Sequence, residues 1–176
     1  MSGEQTAGIQ DHQKRLFWGC FISLIATAFG FVIRGMLMPE WGTEFNLSSS
    51  EVGQIAGVGF WPFALSIVFF SLIIDRIGYG TAMAFAFLCH SVSTVITIFA
   101  SGYSMLWIGT FIFALGCGTV EAVINPVVAT LFSRDKTKWL NILHAGWPGG
   151  MVVGGICAVL LGVVGIDAWQ VKVGLI

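Results

Sequence analysis

Charged side chains are scarce in this sequence. Asp, Glu, Lys and Arg together make up 10% of the 176 residues, whereas hydrophobic residues make up 56%. A typical soluble domain is about 25% charged, and a soluble fold could not bury so many apolar side chains. The composition therefore predicts a protein whose main partner is the lipid bilayer. A net charge of -1 leaves no basic surface, which excludes nucleic acid as a partner.

Cysteine motifs are also missing. The four cysteines form no CxxC pair, and each falls inside a different apolar run, out of reach of an oxidising compartment. We interpret them as small packing residues, and we expect neither a metal site nor a cofactor. The residues are Cys20, Cys89, Cys117 and Cys157.

Long apolar runs, by contrast, are frequent. About 20 apolar residues cross a bilayer as a helix, and five runs reach that length. They predict an all-α polytopic membrane protein, with residues 1–15 as a polar tail and residues 16–176 as a transmembrane bundle. Because a sixth run stops after six residues, we expect this chain to be a fragment of a longer polypeptide. The spans are expected at about 16–38, 52–74, 81–100, 104–132 and 139–165, and the sixth begins at 171.

Basic residues lie at one end of the predicted bundle. The N-terminal tail and the second and fourth connections hold six Lys and Arg residues, whereas the first and third connections hold none. By the positive-inside rule, the N-terminus is expected in the cytoplasm and the protein in the plasma (inner) membrane. The six residues are Lys14, Arg15, Arg76, Arg134, Lys136 and Lys138.

One acid lies inside a predicted span. Glu121 falls near the middle of the fourth run, where a carboxylate without a partner is costly. Asn125 follows four residues later and shares its helical face, and Pro126 frees a backbone carbonyl nearby. We predict that Glu121 and Asn125 bind the polar groups of a solute or a coupling ion. The alternative is a buried hydrogen bond to a Ser or Thr of another helix.

Small residues recur every four positions along the fifth span, from Gly146 through Gly150 and Gly154 to Ala158. Such a stripe lets two helices approach closely. Since the fourth and fifth spans form a hairpin, we expect Glu121 to lie beside Gly150, with room there for water or a ligand. The alternative is that the glycines serve tight packing alone.

Three further side chains are candidate site residues. Arg34 lies toward the outer end of the first span, about 15 Å along the membrane normal from Glu121, so a substrate or a water chain would have to bridge them. Snorkelling to the interface is the alternative for Arg34. His144 and Trp147 precede a Pro-Gly-Gly sequence, and interrupted helices at membrane depth line cavities in transporters. Interface anchoring is the alternative there. His90 stands alone and is expected to be a packing residue.

The sequence SLIIDRIG at residues 71–78, between the second and third spans, resembles the GxxxDRxG signature loop of the major facilitator superfamily. The resemblance covers essentially the whole chain and implies the N-terminal half of a twelve-helix transporter that works by alternating access. It assigns Asp75, Arg76 and Gly78 to the gate between the inward-open and outward-open states. The first glycine of the signature and the basic residues that usually follow it are missing.

A weaker match resembles the fucose and glucose permease branch of proton-coupled sugar transporters. It comprises residues 121–126 and 140–144 and implies that Glu121 takes part in sugar binding or proton coupling. Asn141 matches the Asn of an Asn-Leu pair that opens the fifth helix in that branch, whereas Ile142 replaces the Leu. The acid of the branch's first helix has no counterpart here, where Arg34 stands. The arginine implies a different ion coupling or a negatively charged substrate.

These patterns together predict a secondary transporter of a small polar solute, a sugar or a related compound, with coupling to protons through Glu121. Its expected partners are the bilayer, the solute, protons and the missing C-terminal half. The alternative is a small membrane scaffold or a dimeric half-transporter subunit. An enzyme is not predicted, because His90 and His144 are isolated and no nucleophile and base lie at one depth.

Overall fold

The structure is a computed structural model that describes the backbone of residues 3–176 and the side chains of residues 11–176. Within this part of the chain the regular elements are eight helices. They are α1 (Gly3–Glu44), α2 (Ser49–Val58), α3 (Trp61–Ile77), α4 (Tyr79–Ile98), α5 (Tyr103–Leu131), α6 (Lys136–His144), α7 (Gly146–Val163) and α8 (Trp169–Val173).

Seven of these helices form five spans that are long and apolar enough to cross a membrane. α1, α4 and α5 each form one span. Each of the other two spans is interrupted and consists of two helices: α2 and α3 form one, and α6 and α7 form the other. The break between α2 and α3 falls just before Pro62, since proline lacks the N–H that would continue the hydrogen-bond ladder. The five spans confirm the predicted all-α polytopic fold. α1 is longer than its apolar run and continues through Pro39 to Glu44.

α5 is the central helix of the bundle. In its most apolar 18-residue window 67% of the residues are buried, against 22% to 33% in the other four spans. It packs on α1, α3 and α4, where Gly116 lies against Cys89 of α4 and Gly118 against the backbone of Phe63 of α3. Glu121, which α5 carries, therefore lies inside the bundle and not at its lipid surface.

The glycine stripe of α7 packs on α1. A Cβ added at Gly150 would lie 2.5 Å from the carbonyl oxygen of Ile25 and 2.9 Å from the Cβ of Ala28. The expectation that Gly150 lies beside Glu121 is therefore wrong. Helices that follow each other in the chain need not be neighbours in the bundle: α5 is enclosed by α1, α3 and α4, and α7 closes on α1 instead.

Replacing Gly150 by alanine is expected to destabilise the bundle by about 1–3 kcal/mol, because the added methyl group must push α7 away from α1. Gly155→Ala is the matched control, since a Cβ at Gly155 meets no atom within 4 Å. Alanine also has the higher helix propensity, so the control should be neutral or slightly stabilising. Thermal unfolding of the purified variants in detergent measures both. Equal midpoints for the two variants would contradict this packing.

The C-terminal helix α8 is attached to the end of α1. Trp169 packs edge-on against Trp41, with 5.8 Å between ring centroids, and its indole N–H donates to Glu44. Lys172 Nζ lies 3.6 Å from Glu40 Oε2. These contacts place the start of the sixth run against α1 and α4. We call this end of the bundle, which carries Glu40 and Glu44, the acidic end.

Candidate functional site

Arg34 of α1 is buried in the bundle, with 3% of its surface exposed. Its Nη2 donates hydrogen bonds to Ser93 Oγ at 2.6 Å and to Thr97 Oγ1 at 3.0 Å, both on α4. Its Nη1 donates to Thr110 Oγ1 of α5 at 3.4 Å, and the guanidinium lies 4.7 Å from the ring centroid of Phe113. Arg34 therefore does not snorkel to the membrane interface.

Among the described side chains, no carboxylate lies within ion-pair distance of Arg34. Among the side chains of residues 11–176 the one ion pair is Lys172 with Glu40, at the acidic end. Arg34 Nε is buried and has no hydrogen-bond partner among the described residues. An ionised side chain out of water is stable only when it is paired and hydrogen-bonded, so the site is short of one negative charge.

A cavity of about 220 Å³ lies beside Arg34, between α1, the α2–α3 break and α5. Drug-sized pockets measure roughly 300–1,000 Å³, so this one fits a smaller ligand. Aromatic rings form much of its wall, and Arg34 and Thr110 supply its side-chain polar groups. The lining residues are Phe31, Arg34, Gly35, Met38, Ala56, Gly59, Phe60, Thr110 and Phe113.

The aromatic wall extends to Trp147 of α7. The ring centroid of Phe31 lies 5.4 Å from that of Phe60 and 5.9 Å from that of Trp147, which in turn lies 6.2 Å from that of Phe63. Three spans thus contribute rings to one layer, and two of these rings line the cavity. The role of Trp147 in binding stays a prediction.

Asn141 and His144 lie elsewhere. Both are exposed on α6, and neither lines the cavity beside Arg34. The structure therefore does not bring them together with Arg34, and their roles stay predictions.

Glu121 and Asn125 form a second polar patch, as their spacing predicts. Asn125 Nδ2 donates to Glu121 Oε2 and to the backbone oxygen of Glu121, both at 2.9 Å. These two bonds orient the amide, so that Asn125 Oδ1 points away from Glu121. That oxygen is buried without a hydrogen-bond partner among the described residues. A carboxylate and a free amide oxygen inside the bundle can accept a proton or a hydrogen-bond donor.

The signature residues lie where α3 ends. Asp75 and Arg76 are exposed in its last turn. Gly78 follows with φ +81° and ψ 150°, a conformation that is essentially open to glycine alone, and its N–H donates to the carbonyl of Ile74 at 2.8 Å. The geometry explains the glycine. The gating roles of Asp75, Arg76 and Gly78 stay predictions.

Sequence reasoning missed the hydroxyl groups around Arg34. Ser93, Thr97 and Thr110 are uncharged residues inside apolar runs, where Ser and Thr are common. The one signal in the sequence is that Ser93 and Thr97 are four residues apart and share a helical face. His90, one turn earlier, lies edge-on to Phe113 with 5.1 Å between ring centroids, which fits a packing role.

Within the described residues, no three His, Cys, Asp or Glu side chains are close enough to hold a metal ion. Cys89 and Cys117 are buried between helices, which fits their interpretation as packing residues.

Five spans enclosing a buried arginine and a buried glutamate define a polytopic helical membrane protein with a polar interior. The sequence profile of the Major Facilitator Superfamily matches residues 20–171, and the chain belongs to that superfamily. The resemblance of residues 71–78 to the superfamily signature is thereby confirmed, and the bundle is that of an N-terminal half.

Relatives with described substrates match most of the chain. It is 30% identical over 138 residues to a gentisate transporter of Corynebacterium glutamicum, covering 78% of this chain and 30% of the relative. It is 25% identical over 150 residues to a probable 4-methylmuconolactone transporter of Cupriavidus pinatubonensis, covering 85% and 35%. It is 27% identical over 143 residues to a niacin transporter of Acinetobacter baylyi, covering 78% and 32%. The chain thus spans about a third of the length of these relatives.

Proposed function

We propose that this chain is the N-terminal half of a secondary transporter that moves a small organic anion across the plasma membrane by alternating access. The observation that carries the proposal is Arg34, a buried cation that lines a cavity and has no carboxylate partner among the described residues. A bound anion would supply the missing charge. Such an interaction is strong because water is excluded from both partners.

The cavity wall favours a flat, unsaturated anion. Phe31, Phe60 and Phe113 line the cavity beside Arg34, and aromatic pairs gain about 0.5–1.5 kcal/mol beyond the burial of their area. Two of the relatives are named for gentisate and niacin, which are both ring compounds with a carboxylate. The wall and the relatives' names thus support the same substrate class.

The sugar expectation stays a prediction that rests on Glu121 and Asn141. Sugars are neutral, so a sugar would leave the charge of Arg34 uncompensated. In our proposal Glu121 and Asn125 instead form the coupling site, and protonation of Glu121 links proton movement to solute movement. We also propose that the N-terminus lies in the cytoplasm, and the positions of the basic residues support this orientation.

A panel of uptake substrates tests the proposal. Cells that express the native gene product containing this sequence are expected to take up labelled gentisate or nicotinate with saturation. Benzoate should compete with this uptake, whereas benzamide, which has the same ring but no charge, should not. Glucose and fucose should enter at the rate of cells that carry an empty vector. Saturable sugar uptake without carboxylate uptake would overturn the proposal and favour the permease resemblance.

A further inference from the structure

The two hydroxyls on α4 that hold Arg34 can act only as acceptors. Ser93 Oγ donates its hydrogen to the carbonyl oxygen of Gly109 at 2.6 Å, and Thr97 Oγ1 donates to the carbonyl oxygen of Ser93 at 2.8 Å. A hydroxyl has one hydrogen, so both oxygens face the guanidinium with lone pairs. They stabilise a cation and cannot donate to an anion.

Gly109 makes this arrangement possible. A Cβ added at Gly109 would lie 2.5 Å from Thr97 Oγ1, closer than Cβ atoms approach in folded proteins. Any larger residue would push the hydroxyl of Thr97 off Arg34. The Nη2 edge of the guanidinium is therefore occupied by protein acceptors, and an anion has to approach from another edge.

Thr110 lies at that other edge. Its Oγ1 accepts the longest of the three bonds from Arg34, at 3.4 Å from Nη1, and Thr110 lines the cavity. Among the described residues its hydroxyl hydrogen is committed to no acceptor, whereas Thr27, Thr97 and Thr119 each donate to a carbonyl of their own helix. Thr110 thus combines a free donor with a position beside the unpaired charge.

We propose that Thr110 is a substrate-binding residue: its hydroxyl donates to the carboxylate that Arg34 binds through Nη1, while Ser93 and Thr97 position the guanidinium from behind. The inference rests on the proposed transport of an organic anion and deepens it. The bound carboxylate then accepts one bond from a charged donor and one from a neutral donor. This pair favours a carboxylate over a neutral carbonyl compound.

The test measures KM for nicotinate uptake by cells that express the native gene product. Thr110→Val keeps the shape of the side chain and removes the donor. It is expected to raise KM about tenfold, which is roughly 1.4 kcal/mol, because the hydrogen bond to the charged carboxylate is lost. The KM of Thr110→Ser, which keeps the hydroxyl donor, should stay within about threefold of the wild-type KM. Thr119→Val is the matched control on α5, because it removes an equally buried hydroxyl away from the cavity.

The positioning role of Thr97 has its own readout. Thr97→Val should raise KM with kcat unchanged, and Thr97→Ser, which keeps the acceptor, should restore it. A merely structural role would lower the amount of transporter at the membrane and leave KM unchanged.

Two results would overturn the assignment. Thr110→Val with a wild-type KM would do so, as would an equal rise in Thr119→Val. If Thr110→Val fails to reach the membrane, Thr110→Ala replaces it, and an alanine variant that matches Thr110→Ser overturns the assignment too. Failure of the proposed function itself is distinguishable, because the wild type would then show no saturable uptake of a carboxylate.

Discussion

Replacing Arg34 by glutamine is expected to reduce kcat/KM for gentisate uptake by about a hundredfold or more. Loss of one partner from a buried, hydrogen-bonded charge pair costs roughly 2–5 kcal/mol. In the proposed pair, Arg34 is the partner that the variant removes and the carboxylate of the substrate is the other. Arg34→Lys should recover only part of the activity. The planar guanidinium can contact Ser93, Thr97 and a carboxylate at the same time, whereas the compact ammonium group of lysine cannot. Lys172→Gln is the control, because it removes a positive charge at the acidic end.

The thermal stability of Arg34→Gln shows whether Arg34 acts in substrate binding or in the stability of the bundle. Arg34 has no carboxylate partner among the described residues, so a neutral amide that can still bond to the hydroxyls of α4 should leave the unfolding temperature unchanged or raise it. Stable protein without carboxylate uptake supports recognition. A large loss of stability, or uptake equal to that of Lys172→Gln, would contradict the role of Arg34 in substrate binding.

Replacing Glu121 by glutamine is expected to abolish the pH dependence of uptake. Under the proposed coupling, protonation of Glu121 would link proton entry to solute entry, so uptake by the wild type is expected to rise several-fold as the external pH is lowered. Glutamine imitates the protonated carboxyl at every pH and retains an oxygen that can accept from Asn125. The variant should therefore equilibrate the solute without concentrating it.

Uptake against external pH, with and without a proton ionophore, measures this effect. Glu40→Gln serves as the control, since Glu40 lies at the acidic end and pairs with Lys172. If Glu121→Gln retains the pH dependence of the wild type, proton coupling through Glu121 is wrong. Binding of the solute at Arg34 would be unaffected by that result, because the two sites share no residue.

The all-α fold with five spans could be predicted from the sequence because the information is local. A helix of about 20 apolar residues satisfies its own backbone and fits the bilayer whatever surrounds it. The contact between Glu121 and Asn125 is local in the same sense, since residues four apart on a helix are always neighbours. The positive φ of Gly78 likewise belongs to a short signature that could be recognised as a string.

The partners of helices and side chains were decided by the tertiary structure alone. The glycines of α7 could pack on any close helix, and only the packed bundle shows that Gly150 meets Ile25 and Ala28 of α1. Arg34 stood out in the sequence as a charge in an apolar run. Its environment consists of hydroxyls 59 to 76 residues away. The sequence does not show where the hydroxyl hydrogen of a Ser or Thr inside an apolar run points. That direction depends on carbonyl groups and cations of other helices that pack against it.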